Sequence, residues 1–299
     1  IGHRVKVNAL VLRPEVFGTV PMYFLTTNIA ENDHLARTIT FHLYDREPST
    51  RIAQSIVLGI AGAKVVEELG GADIYHMNEG HALPLAFYLH EKFGNAEEVR
   101  KRVVFTTHTP EKAGNKTSLE EARHMTGMHG NFLDYTLAAL RIAKVANGVS
   151  QLHGQVARDM WYENDNVCEI KAITNAQNAR FWMDGAMRQA LERDDNQALI
   201  QRKAEMKQEL FELVADKTGK LFRKDVLTIV WARRFAAYKR ADLLVHDIER
   251  FFDMISNKSQ PVQVIWAGKP YPFDEGAVSV FNSLVNLSYQ RKNFAVLTG

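Results

Sequence analysis

The sequence predicts an α/β protein made of two halves, each a parallel β-sheet with helices between its strands. Three observations carry that prediction. Short β-rich runs alternate with helical patterns from one end of the chain to the other, the signature of βαβ units. The chain has 299 residues, room for two domains at very roughly 150 residues each. The unusual polar residues follow the predicted strands instead of interrupting them.

The first half opens with a strand over residues 5–12. Residues 50–69 read as a helix, because apolar Ile52, Ile56, Ile60 and Val65 recur near helical spacing and Gly70-Gly71 close it. A strand over 72–77 and a helix over 82–93 come next, then a strand over 102–107 and a helix over 133–145. Residues 149–152 read as a short strand, 155–162 as a short helix, and 168–173 as the last strand of this half. Residues 178–195 read as a linker into a helix over 195–215, whose interspersed Glu and Lys have the chemistry of an exposed face. Then come a strand over 226–231, a helix over 239–256, a strand over 262–266, a helix over 277–289 and a strand over 294–297. The halves are therefore expected over residues 1–177 and 178–299, both Rossmann-like, with right-handed crossovers.

Hydrophobic residues make up 46% and charged residues 24%, ordinary globular values that exclude a disordered chain. A formal net charge of +2 gives no field to draw nucleic acid or an anionic membrane, so any anion binding must come from a local cluster. The single cysteine, Cys168, cannot form an internal disulfide, in keeping with a cytoplasmic location. No apolar run reaches the roughly 20 residues that span a bilayer, and the first residues lack the apolar core of a signal peptide. The chain begins without Met and strand patterns reach both ends. Both halves are expected to be truncated pieces of a longer protein.

In open parallel sheets, ligands bind beyond the carboxyl ends of the strands. There the sequence places Asn78-Glu79-Gly80-His81, His108-Thr109-Pro110, Thr174-Asn175, Arg233-Arg234 through Tyr238-Lys239-Arg240, and Ala267-Gly268-Lys269. One polar residue after one strand is more often a helix cap or a loop hydrogen-bonder. The repetition in both halves describes a cleft between two domains. The sharpest feature is cationic. Arg234 and Lys239, with Arg233 and Arg240 beside them, bracket an expected strand-to-helix junction. A helix start offers free N–H groups, a guanidinium binds phosphate bidentately, and an ammonium acts as a point charge. Cations there oppose the helix dipole and are costly unless an anion sits among them.

Tyr75 and Trp231 read as core, and Trp161, Trp182 and Trp266 as either core or cleft. Other motifs fail. Gly59-Ile60-Ala61-Gly62 falls inside a helix, so it is no dinucleotide fingerprint, and Gly114-Asn115-Lys116-Thr117 lacks the earlier glycine of a phosphate loop. His124 and His129 are spaced so that they do not share a helix face, and no metal site is expected. No Gly-x-Ser-x-Gly elbow is present.

In order and spacing these segments resemble the glycogen/α-glucan phosphorylase family. The likeness covers nearly the whole chain: Arg51-Ile52-Ala53-Gln54, Asn78-Glu79-Gly80-His81, Thr107-His108-Thr109, Asn147-Gly148-Val149 followed by Leu152-His153, Thr174-Asn175, Arg233-Arg234 through Arg240, and Ala267-Gly268-Lys269. Each is weak alone; their succession is specific. The short stretch 45–50 is similar to the compact prokaryotic branch. The resemblance implies a GT-B fold, pyridoxal phosphate as cofactor, and retaining phosphorolysis of α-1,4-glucan to glucose 1-phosphate, with a homo-oligomer among the assemblies it allows.

It also implies roles. Arg234 and Lys239 would hold the phosphates of substrate and cofactor, and His108 would contact the sugar with its backbone facing the anomeric carbon. Asn175, Glu79, His81 and Thr109 would bind the sugar. The Schiff-base lysine of the family lies in a Gly-rich motif expected after Gly299, and Lys239 and Lys269 match other positions. The chain alone is therefore expected to be inactive and without covalent cofactor. It departs from the family at Ala236-Ala237, where His-Glu is usual, and at Ala176, where Gly is usual. Two rivals remain: a GT-B glucan synthase using a nucleotide sugar, marked by competition from a nucleoside diphosphate, and a glucan-binding protein without turnover.

Overall fold

The computed structural model describes residues 3–16, 18–43, 45, 47–108, 116–118 and 132–298. It divides into two compact units, Ile1–Phe181 and Trp182–Gly299.

The first unit begins with a hairpin. Strand β1 (Asn8–Leu12) pairs antiparallel with β2 (Met22–Thr26), with Leu10 opposite Phe24. The helix expected over 50–69 is a composite: Pro48–Ile56 and Gly62–Glu68 are α-helical, and a π-helical turn, Val57–Ala61, joins them. Pro48 suits the first turn, where its missing N–H costs no bond. Gly59 in the π turn meets the start of helix Pro84–Phe93 so closely that a Cβ would lie 2.5 Å from the Leu85 nitrogen and 2.9 Å from Pro84. Gly59→Ala is expected to destabilise by about 2 kcal/mol through overpacking. A thermal melt would show this as a Tm fall of roughly 4–8 °C; an unchanged Tm would mean that the two helices are free to part.

The central sheet contains β3 (Tyr75–Asn78) and β4 (Val103–Thr107). An antiparallel pair, β5 (Lys116–Ser118) with β6 (Phe132–Asp134), follows in sequence. β7 (Val145–Gly148) and β8 (Ile170–Ala172) complete the sheet, whose order is β3-β4-β7-β8 with every pair parallel. Alternation sends Tyr75, Met77, Val103, Phe105, Ala146 and Ile170 into one core with Leu85, Leu89, Leu140 and Trp161. His76, Asn78, Thr106 and Asn147 alternate with them.

Two expectations fail in this region. The helix expected over 133–145 is Tyr135–Ile142, and Val145 already belongs to β7. The strand expected over 149–152 is instead the start of helix Gln151–Trp161, because the Ser150 side chain caps it by accepting from the His153 N–H at 3.0 Å.

In the second unit the expected linker is partly helical. Gly185–Glu192 is capped by Asp184, which also receives Arg202 of helix Asn196–Thr218 at 3.0 Å. That helix stops at Gly219, which is left-handed with φ 69°. Its Phe211 and Val214 pack with Ile265, Ala295 and Leu297. The sheet comprises β9 (Leu227–Ala232), β10 (Val262–Ala267) and β11 (Phe294–Leu297), parallel in the order β11-β10-β9. A second core joins Phe235, Phe251, Trp266, Leu284 and Phe294, with Trp266 and Phe294 ring centroids 4.7 Å apart.

The expected helix over 239–256 is corrected most. Ala237–Lys239 and Leu243–Val245 are isolated 3-10 turns, and the α-helix is only Ile248–Ser256, capped by Asp247. Arg240 sits at φ 49°, which no helix continues through, and the Ala241 carbonyl accepts from Trp266 Nε1 at 2.8 Å instead of from a helical turn. Trp161 and Trp266 are core residues, Tyr75 is buried, Trp231 is half-buried against Phe235, and Trp182 is 72% exposed. Among the described residues, no helix is long and apolar enough to cross a membrane.

Candidate active site

At the carboxyl ends of β3, β4 and β7 the side chains tie neighbouring strands together. His108 Nε2 lies 2.5 Å from Asn78 Oδ1, so with the amide oxygen accepting, the ring donates from Nε2. The His108 backbone N–H donates to Glu79 Oε1, and the Glu79 N–H donates to the Thr106 carbonyl at 2.9 Å. One step back, Thr106 Oγ1 donates to Asn147 Oδ1 at 2.7 Å. Its single proton is then used, so at 2.7 Å it accepts from His76 Nε2.

Glu79 holds φ 65°, a left-handed backbone that strains a residue with a Cβ. Behind it Gly80 is buried, and a Cβ there would fall 2.7 Å from the Tyr135 Cβ. The Asn78–His81 segment is thus seated against the start of helix Tyr135–Ile142, and this seating aims the Glu79 carboxylate at the β4 end. His81 keeps an exposed surface, yet desolvation of its ring lowers its pKa; the Arg51 charge adds to that and Glu79 opposes it. Thr109 lies outside the described residues, as do His124 and His129.

Asn175 presents an exposed side chain, and its backbone N–H donates to the Val149 carbonyl at 3.1 Å. His153, to which sequence reasoning gave no role, lies in the first turn of helix Gln151–Trp161 and reaches the Val149 loop. Its Nδ1 accepts from the Val149 N–H at 3.1 Å, while its buried Nε2 has no partner among the described residues. Burial pushes its pKa down, with Glu79 opposing and His108 adding. The only hint in the sequence was its fixed distance from Asn147-Gly148-Val149.

In the second unit the cationic segment leaves β9. Pairing with the β10 side continues past the strands: the Arg233 N–H donates to the Ala267 carbonyl at 3.0 Å, and the Phe235 N–H to the Lys269 carbonyl at 3.1 Å. Arg233, Arg234 and Arg240 are exposed, and Lys239 is half-buried with its ammonium 5.6 Å from the Tyr238 ring centre. No α-helix starts here, so the dipole contribution expected of a strand-to-helix junction is absent. What remains is charge density: residues 233–241 carry four cations, Arg233, Arg234, Lys239 and Arg240, and no carboxylate.

Cys168 is half-buried, and burial pushes its thiol up to about 11, which makes it a poor nucleophile. Among the described residues no group of His, Cys, Asp and Glu is arranged to hold a metal ion.

No family model matches the chain. Over its full length it is 47% identical to an uncharacterized protein of Methanocaldococcus jannaschii, of which it covers 59%. It is 30% identical to the maltodextrin phosphorylase of Thermococcus litoralis across 91% of the chain and 40% of that protein. It is 28% identical to the glycogen phosphorylase of Mycobacterium tuberculosis across 93% of the chain and 42% of that protein. Its named relatives are phosphorylases. The chain thus spans 40% to 59% of the length of these relatives.

Proposed function

We propose that the chain is the part of an α-glucan phosphorylase that carries its sugar-binding and phosphate-binding loops. The whole enzyme, a hexosyltransferase of GT-B type, performs retaining phosphorolysis of α-1,4-glucan to glucose 1-phosphate. The relatives' names supply the chemistry. The observation that carries it onto these residues is the pair of bonds that hold His108, its backbone N–H to the Glu79 carboxylate and its ring to Asn78 Oδ1. They set a carboxylate and an imidazole at adjacent strand ends, where a polyol ligand can be hydrogen-bonded.

In this reading the first unit supplies Glu79, His81, His108, Thr109 and Asn175 to the sugar, and the second supplies Arg234 and Lys239 to phosphate. Fixed cations stabilise the anionic charge that gathers as the glycosidic bond breaks, and they need no reorganisation to do so. The same donor set fits the phosphate of pyridoxal phosphate, because residues 233–241 carry four cations and no carboxylate of their own. When bound, that cofactor supplies a phosphate group beside the substrate phosphate; its lysine would lie beyond Gly299. The enzyme would be cytoplasmic, and a homo-oligomer is compatible with the reading.

The test is glucose 1-phosphate release from maltodextrin and inorganic phosphate by the full-length natural polypeptide. Release is expected, lost when pyridoxal phosphate is stripped and regained when it is restored, while the 299 residues alone release none. A folded, cofactor-loaded polypeptide that releases nothing would sink the proposal.

A further inference from the structure

We infer that His153 is a positioning residue whose imidazole Nδ1 holds the Gly148–Val149 peptide and, through that loop, the backbone of Asn175. What Asn175 binds rests on the proposed glucan reading; the relay itself does not.

The relay is short and every bond in it has one direction. The Val149 N–H can only donate, so His153 Nδ1 at 3.1 Å carries no proton and the neutral ring bears its proton on Nε2. The carbonyl of the same peptide group, that of Gly148, accepts from the Ile173 N–H at 3.0 Å. That peptide is therefore gripped at both ends. The next carbonyl, that of Val149, accepts from the Asn175 N–H at 3.1 Å. These bonds extend the β7–β8 pairing beyond the strands themselves, and Asn175 is the residue they deliver at the end.

His153 is placed to be the fixed end of the relay. Its own N–H is bound by Ser150 Oγ at 3.0 Å, and the Gly154 N–H by the Ser150 carbonyl at 2.8 Å, so the helix start anchors its backbone. It is 9% exposed, and a ring so enclosed has little freedom to follow a loop that moves away. A proton on Nδ1 would face the Val149 N–H, two donors head to head, and the grip would be lost. Burial favours the neutral ring; of the titratable groups facing it, Glu79 favours the protonated form and His108 opposes it. Because the folded-state pKa is lowered, the contribution is whole above the ordinary histidine range and is lost as pH falls through the lowered folded-state value beneath it.

The experiment compares the natural protein with His153→Leu and His153→Asn, whose Oδ1 can replace Nδ1 as acceptor. Imidazole nitrogen NMR of the natural protein is expected to show the Nε2-protonated tautomer. Amide hydrogen exchange at Asn175 is expected to speed up about tenfold in His153→Leu and to return to within about twofold in His153→Asn, the size expected for one net hydrogen bond. An Nδ1-protonated ring in the natural protein overturns the inference even if His153→Leu does not fold. So does Asn175 exchange indifferent to the leucine variant. The KM for maltodextrin, measured in the full-length polypeptide, is expected to rise in His153→Leu with kcat nearly unchanged, and to recover in His153→Asn. If exchange responds while KM does not, the relay stands and Asn175 leaves the proposed glucan site.

Discussion

Gly268→Ala is expected to destabilise the second unit by about 3 kcal/mol or more, the upper range for forcing volume into a packed site. Gly268 lies at φ 153°, and a Cβ there would overlap the Arg233 carbonyl oxygen and come within 2.9 Å of its carbon. The obstacle is backbone, not the end of a flexible side chain, so one of two chain segments has to shift. Neither is free. The Gly268 N–H is bound to the Leu297 carbonyl at 3.0 Å, and Arg233 is bound to Ala267 at the same distance. Gly94 is the control, with φ 66° and nothing within 4 Å of a Cβ. Alanine there meets only left-handed strain, on the order of 1 kcal/mol. Thermal melts of the two variants therefore separate crowding from strain. Equal, small Tm shifts would show that the Arg233 and Gly268 segments are not locked together. Where Gly268→Ala folds at all, the phosphate affinity proposed for Arg234 and Lys239 is expected to fall as well, because the displaced segment leads directly into them.

The same region shows what a sequence can and cannot disclose. β9, β10 and β11 were legible because each is a mostly apolar run of strand-forming residues with a clear boundary: β9 runs into Arg233, β10 into Gly268, and β11 starts after Asn293. The helix over 239–256 was misjudged because Lys239 to Val245 has a helical composition, while what stops the helix is tertiary. Phe235 is tied to Lys269, Trp266 takes the Ala241 carbonyl, and Asp247 is the stronger cap. In the first unit the helix expected over 133–145 took in Val145, the first residue of β7, because a strand of four residues, Val-Ala-Asn-Gly, is too short to show a period of its own. The polar strand ends were legible as residues but not as a network. The bonds from His76 through Thr106 to Asn147 need β3, β4 and β7 to be neighbours, and only the fold supplies that adjacency.

Glu79→Gly is expected to abolish sugar-dependent turnover while leaving stability within a few degrees of the natural Tm. Three small terms nearly cancel in the folding balance. Relief of the left-handed strain at φ 65° returns roughly 1 kcal/mol. Glycine's greater freedom in the unfolded chain costs roughly 0.4–1 kcal/mol. The lost bond from the His108 N–H costs about 1 kcal/mol, tempered because His108 is exposed and water can take the vacated place. No comparable cancellation protects the site. Removing the carboxylate takes away both a proposed ligand of the sugar and the acceptor that fixes the His108 peptide, and a misplacement of about 1 Å costs on the order of 100-fold in rate. Glu79→Gln keeps an oxygen acceptor for the His108 N–H but not the charge, so it is expected to retain the loop geometry and an intermediate activity. Glucose 1-phosphate release by the two variants in the full-length polypeptide, set beside their melts, distinguishes the roles. If Glu79→Gly turned over at the natural rate, the strained conformation would have no functional reason, and the carboxylate would have to be removed from the proposed sugar site.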